Sequence, residues 1–359
     1  MSFSPSAAAL ARLPGFLRPA SVSSKVSAQN QLFSQLNALE RQRLQSANDP
    51  NSPFSFEQAL DELTMDLNRY NNILPYKHSQ VLIGEYDPDQ PELSYINANR
   101  ITAPPTLRSS LPNTWGGYIA TQAPLPGTQT QFWRMVYQEN VHVIVCLTVV
   151  SHDRLNRGPK AERYWPRAGE TDQLDKDLHV KNLDSVDKQD QTVYRQFDVW
   201  NPSDTTSDKR RKVLLVHYQG WPDHGVPTTT DDLRDILYKI RAWKSEQLEQ
   251  QQQPLDFGPM VVHCSAGCGR TGTFCVVDTA LSILEHAKYP YLAPSPNGGS
   301  QNASQTEDQV QKSDGYDWEG DRDIIHEALS SFRNERMLMV QTAPQYGFCY
   351  KAVQDLCQV

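Results

Sequence analysis

The chain has 359 residues, 38% of them hydrophobic, and a formal net charge of −8. With a pI near 5.6, that balance excludes a general nucleic-acid or membrane-surface binder, which needs a basic face. No run reaches the roughly 18 apolar residues of a membrane helix, so no stable membrane insertion is expected.

Residues 1–39 hold no Asp or Glu but carry Arg12, Arg18 and Lys25 among serines and alanines. A transit peptide has that composition, yet the stretch from Ser27 places Leu32, Phe33, Leu36, Leu39 and Leu44 near helical spacing. The sequence therefore predicts a flexible leader over residues 1–26, then a docked helix opening a single domain over 27–359. Mitochondrial targeting is the minor reading. Six cysteines in mostly apolar runs, with no zinc-type spacing, fit a reduced cytoplasmic setting, with a nuclear one left open.

Strand signals follow at 95–101, 115–122, 141–150, 192–200, 212–219 and 259–264, and helical patterns at 129–139, 231–249, 270–287, 322–335 and 343–357. Their order predicts an α/β (α+β) fold, a large twisted mixed β-sheet flanked by helices. Residues 289–321, rich in Pro, Gly, Ser and Asn and then acidic, read as a low-complexity insertion.

The chemistry concentrates in "VVHCSAGCGRTGTF", residues 261–274. An apolar strand stops at Cys264 and a helical pattern starts just after Arg270. Between them Ser265, Ala266, Gly267, Cys268 and Gly269 are small enough for backbone N–H groups to converge on one anion. That field lowers a thiol's pKa, and the fork of Arg270 holds two phosphate oxygens. A lone cysteine in an apolar strand is usually a small buried hydrophobe; this spacing makes it a nucleophile facing a phosphate cradle. Thr271 is placed to hydrogen-bond the thiolate or cap the helix, and His263 to orient the loop; either also fits ordinary packing. Phosphoryl transfer further needs an acid on a mobile segment, and "WPDHGVP" (221–227) offers Asp223.

These residues resemble the cytosolic, non-receptor protein tyrosine phosphatases, in the style of fungal members. The resemblance covers about residues 30–357 and extends to "NRYNNILPY", "YINANRI", "YIATQAPLPGTQTQFWRMVYQ", "KAERYWP" and "VQTAPQYGFCY". It implies hydrolysis of phosphotyrosine through a cysteinyl-phosphate on Cys264, without metal or other cofactor. Arg270 and the loop amides of 265–269 would bind the phosphoryl oxygens, and Asp223 would serve as acid and then base. Gln341 would position the water with support from Gln345. Tyr70 would wall a deep slot, Asn72 would hold the substrate backbone, and Lys160 would tether Asp223. The implied partners are phosphotyrosine-containing proteins, signalling kinases among them.

Some positions depart from the family pattern. A bracing glutamate for the arginine is missing from "SHDRLNRGP" (151–159), which offers only Asp153; Ala161 replaces a usual cysteine, and Gln80 a common arginine. A binding scaffold without turnover, or a dual-specificity or phosphoinositide phosphatase, are the alternatives. Cys268, four residues from the nucleophile, either fills space or forms a disulfide with Cys264 under peroxide.

Overall fold

A computed structural model describes residues 13–18, 22–150, 160–174, 177–204, 210–222, 225–250, 256–287 and 322–357. Nine strands form one sheet in the order β1-β2-β3-β9-β4-β8-β7-β6-β5. They are β1 Gln80–Leu82, β2 Tyr95–Ile101, β3 Tyr118–Thr121, β4 Val143–Cys146, β5 Thr171–Gln173, β6 His179–Gln189, β7 Thr192–Trp200, β8 Arg211–Tyr218 and β9 Met260–His263. The longer helices are α1 Val22–Gln45, α2 Gln129–Gln138, α3 Asp231–Gln250, α4 Gly269–His286, α5 Ile324–Glu335 and α6 Ala343–Leu356.

The four central strands, β3, β9, β4 and β8, run parallel, and the outer pairs are antiparallel. Parallel strands are covered on both faces, which explains their unbroken apolar runs. Val262, Val145 and Val216 pack into one core with α3, α4, α5 and α6. Their neighbours Val261, Ile144 and Leu215 pack into the other with Phe132 and Trp133 of α2. The mixed sheet and flanking helices match the predicted architecture. The three strands the sequence did not signal, β1, β5 and β6, lie at or beside the sheet's edges.

Two expectations about the N-terminus change. Leu13 and Leu17, assigned to the leader, are buried in the main core, and the docked helix begins at Val22. On α1, Leu39 is 42% exposed and Glu40 is buried instead. A period of 3.6 carries the inner face from Phe33 through Leu36 to position 40, past position 39. The insertion over 289–321 lies outside the described residues.

Candidate active site

The site forms at the carboxyl ends of the parallel strands, where open α/β sheets place their ligands. β9 ends at His263, α4 starts at Gly269, and residues 264–268 make the turn between them. Gly267 has φ +74°, and a Cβ there would lie 2.1 Å from the Thr121 carbonyl oxygen. Only glycine fits.

Arg336, fully buried just beyond α5, holds the turn from behind. Its Nε donates to the Gly267 carbonyl at 2.9 Å and its Nη2 to the Ala266 carbonyl at 2.9 Å. Nη1 and Nη2 also donate to Asn99 Oδ1 at 2.7 Å and Asn97 Oδ1 at 2.8 Å. A trans peptide sets its N–H opposite its C=O. Carbonyls 266 and 267 drawn backward therefore turn the N–H groups of Gly267 and Cys268 forward, and the Gly267 N–H donates to Cys264 Sγ at 3.3 Å.

Cys264 is 4% exposed. Burial pushes its thiol up, but the Arg270 guanidinium, the Thr271 hydroxyl and N–H and the Cys268 N–H outweigh it and hold the thiol below its ordinary value. Thr271 Oγ1 is buried without a well-formed hydrogen bond in the resting site, leaving it available to the ionised sulfur. Arg270 donates from Nη1 to the Leu147 carbonyl at 3.0 Å, a main-chain brace at the end of β4. Asp153 lies outside the described residues. Burial drives His263 down to about 4, so it is neutral. Its Nε2 faces the Tyr164 hydroxyl at 2.7 Å and its Nδ1 the Cys264 carbonyl at 3.0 Å.

Around the loop, Ser265 Oγ donates to the Lys160 carbonyl at 2.6 Å and accepts from the Tyr70 hydroxyl at 2.8 Å. Tyr70 is 36% exposed, a ring standing at the rim; Asn72 and Lys160 are also exposed. Gln345 is buried and its Oε1 accepts from the Gln341 N–H at 2.8 Å. A Cβ on Gly269 would sit 2.9 Å from Gln345 Oε1 and 3.1 Å from Gln341 Oε1, so both amide heads lie over the start of α4. Gln341 is delivered by a strained segment in which Leu338 and Val340 have φ +55° and +56°. Arg333 holds that segment through the Met339 and Val340 carbonyls, at 2.8 and 2.6 Å. Glu40 of α1 accepts from the Leu338 N–H at 2.9 Å.

The structure thus gathers Cys264, Ser265, Ala266, Gly267, Cys268, Gly269, Arg270, Thr271, Gln341, Gln345 and Tyr70 around one turn. Asp223 lies outside the described residues. Its neighbour Trp221 is buried between Tyr218 and Phe348, with ring centroids 6.4 and 5.8 Å away. The Cys268 thiol points into a separate cluster with Ile73, Tyr76 and Met337. Burial pushes it up to about 12, which favours the space-filling role. Sequence reasoning missed Arg336, Asn97, Asn99 and Tyr164. The signal for the asparagines was present: two polar residues at i and i+2 on one face of an apolar strand.

A strand, an anion-binding turn carrying a cysteine and an arginine, and a helix define a phosphate-handling cysteine site. Residues 64–297 match the family model described as Protein-tyrosine phosphatase, and the chain belongs to that family. It is 32% identical over 308 residues to receptor-type tyrosine-protein phosphatase F of Rattus norvegicus. It is 33% identical to the Homo sapiens protein of that name and 32% to the Danio rerio one. Each alignment covers 86% of this chain and 13% of the relative. No helix among the described residues is long and apolar enough to cross a membrane.

Proposed function

We propose that this chain hydrolyses phosphotyrosine in proteins by way of a cysteinyl-phosphate. The observation that carries the reading is the Cys264 sulfur, buried under the loop amides and held below its ordinary pKa by Arg270 and Thr271. The thiolate attacks phosphorus and the bond to the tyrosine oxygen breaks. Arg270 and the amides take the charge of the equatorial oxygens, while Asp223 gives its proton to the leaving aryloxide. In the second step the Asp223 carboxylate takes a proton from water set by Gln341 and Gln345. The water oxygen attacks phosphorus, the S–P bond breaks, and inorganic phosphate leaves with the thiolate restored.

Tyr70 walls the slot against shorter phosphoserine, Asn72 meets the substrate backbone, and Lys160 tethers Asp223. Signalling substrates, kinases among them, a cytoplasmic location and a place among the non-receptor, fungal-like members belong to the same proposal. So does a single catalytic domain, whose main core includes Leu13 and Leu17. The free, buried state of all six cysteines supports a reducing compartment.

Hydrolysis of an aryl phosphate in excess chelator, lost in Cys264→Ser while phosphopeptide binding persists, tests the reading. Binding without turnover in the wild-type chain would replace it with a phosphotyrosine scaffold. Equal turnover of phosphoserine peptides or phosphoinositides would replace it with a broader phosphatase.

A further inference from the structure

Among the described residues, four of the ten exposed large apolar side chains, Leu60, Leu63, Met65 and Tyr70, fall between positions 60 and 70. The first three are each more than half exposed, yet the chain that carries them is tied down. Thr64 is fully buried in their midst, its hydroxyl donating to the Gln58 carbonyl. Asn68 Nδ2 donates to the Ala59 and Met65 carbonyls at 3.1 and 3.2 Å. Its Oδ1 accepts from the Tyr95 hydroxyl at 2.5 Å and from Asn97 Nδ2 at 2.8 Å. A fixed loop that still turns large apolar side chains outward marks an interaction surface.

The same loop is fastened to the active site. Gln122 Nε2 donates to the Leu67 carbonyl and its Oε1 accepts from the Arg69 N–H, both at 2.8 Å. The next residue, Ala123, donates its N–H to the Ser265 carbonyl at 2.9 Å. Tyr70 follows at the rim of the slot. Five residues of chain span at most about 18 Å, which keeps Met65 within reach of substrate side chains a few positions from a phosphotyrosine seated beside Tyr70.

The charge around these side chains says what covers them. Residues 56–72 hold Glu57, Asp61, Glu62 and Asp66 against Arg69 alone. Glu57 pairs with Lys77 at 2.8 Å. Arg69 turns inward, onto the Ala123 and Pro124 carbonyls at 3.1 Å each and onto Glu162. Asp61, Glu62 and Asp66 are exposed and take part in no ion pair among the described residues. Apolar side chains interleaved with uncompensated carboxylates complement a segment that mixes Lys or Arg with large apolar residues, and they repel an acidic one.

We propose that the surface formed by Leu60, Leu63 and Met65 with Asp61, Glu62 and Asp66 docks the flank of the substrate, selecting phosphotyrosine segments rich in basic and large apolar residues. The proposal rests on the phosphatase reading and names the substrate class of that site. Phosphotyrosine enters the slot beside Tyr70, basic side chains of the same segment face the carboxylates, and its apolar side chains lie on Leu63 and Met65.

Steady-state kinetics on an aryl phosphate and three phosphotyrosine peptides of equal length test this. The peptides carry flanks of Lys with Leu, of Glu with Leu, or of Lys with Ser. In wild type, kcat/KM for the Lys/Leu peptide should exceed that for the Glu/Leu peptide about tenfold, a few-fold for each surface charge pair. It should exceed that for the Lys/Ser peptide about fivefold. High salt should collapse the first ratio and spare the second. Glu62→Lys/Asp66→Lys should reverse the charge preference, and Leu63→Ser/Met65→Ser should erase the apolar one. Both should keep kcat/KM for the aryl phosphate within about twofold. A variant that melts like wild type but loses aryl phosphate turnover overturns a role confined to docking. Equal kcat/KM for the three peptides, or a preference that the variants leave unchanged, overturns the docking surface and leaves the phosphatase reading intact. A dimer in sedimentation that Leu63→Ser/Met65→Ser dissolves, with no flank preference, assigns the patch to a second copy and overturns the proposal too. A wild-type chain that hydrolyses neither the peptides nor the aryl phosphate overturns the phosphatase reading itself.

Discussion

Arg336 Nε lies 2.9 Å from the carbonyl oxygen of Gly267. That contact aims the turn over residues 264–268 from behind, since the peptide whose oxygen faces Arg336 presents its N–H to the Cys264 side. Replacing Arg336 with Ala strands two asparagine oxygens and two carbonyls in the interior, at a cost of about 1–3 kcal/mol for each acceptor left unpaired. Turnover should fall about a hundredfold, as for loss of an oxyanion donor. Arg336→Lys should keep the fold better than it keeps activity. Pairing thermal unfolding with the pH dependence of Cys264 alkylation checks this: the thiol should titrate closer to free cysteine in both variants.

In the proposed mechanism Cys264 sets the acid side of the pH response. Its folded pKa is depressed, so its stabilising contribution is fully present above the unfolded value of about 8.5 and is lost as pH falls through the folded value. Activity should follow the same direction if the Cys264 thiolate is the proposed nucleophile. The basic limb of the kcat/KM profile belongs to Asp223 in the proposed mechanism, and Asp223→Ala should remove it. A persisting limb would assign the acid elsewhere.

Burial pushes His142, His217 and His263 each down to about 4. Unfolded histidine titrates near 6.5, so the stability of the neutral rings is complete above that pH and drains away toward pH 4. The loss is on the order of 3 kcal/mol each. The melting temperature should decline across this window. His142→Asn, at the opposite end of β4 from the site, should flatten the decline without changing kcat.

Gly269→Ala places a methyl 2.9 Å from Gln345 Oε1 and 3.1 Å from Gln341 Oε1, both ends of side chains that can yield. Stability should change little, while dephosphorylation of the cysteinyl-phosphate slows. Rapid-quench kinetics should then show a phosphoenzyme burst larger than wild type. Gly267→Ala meets backbone at 2.1 Å with φ +74° and should lower folded yield outright.

Glu40→Gln tests the reach of α1. Glu40 accepts from the Leu338 N–H and pairs with Arg333 at 3.7 Å, behind the strained segment that ends at Gln341. We expect kcat and KM to fall together, several-fold, with kcat/KM unchanged, because in the proposed mechanism only the second, water-positioning step depends on that segment.

The sequence by itself determined the cysteine–arginine turn, since its make-up depends on residue type and spacing within one short stretch: a strand ending at Cys264, small residues, and Arg270 at the helix start. It also determined the central strands, whose apolar runs report burial on two faces. Tertiary structure alone decided what aims that turn. Arg336 and the Asn97 and Asn99 that hold it come from segments more than 230 residues apart, and the bonds of Arg336 to the turn arise only when the sheet and α5 close on it. The same holds for the Leu147 carbonyl that braces Arg270. A backbone oxygen carries no side-chain identity, so no pattern of letters announces where it will point.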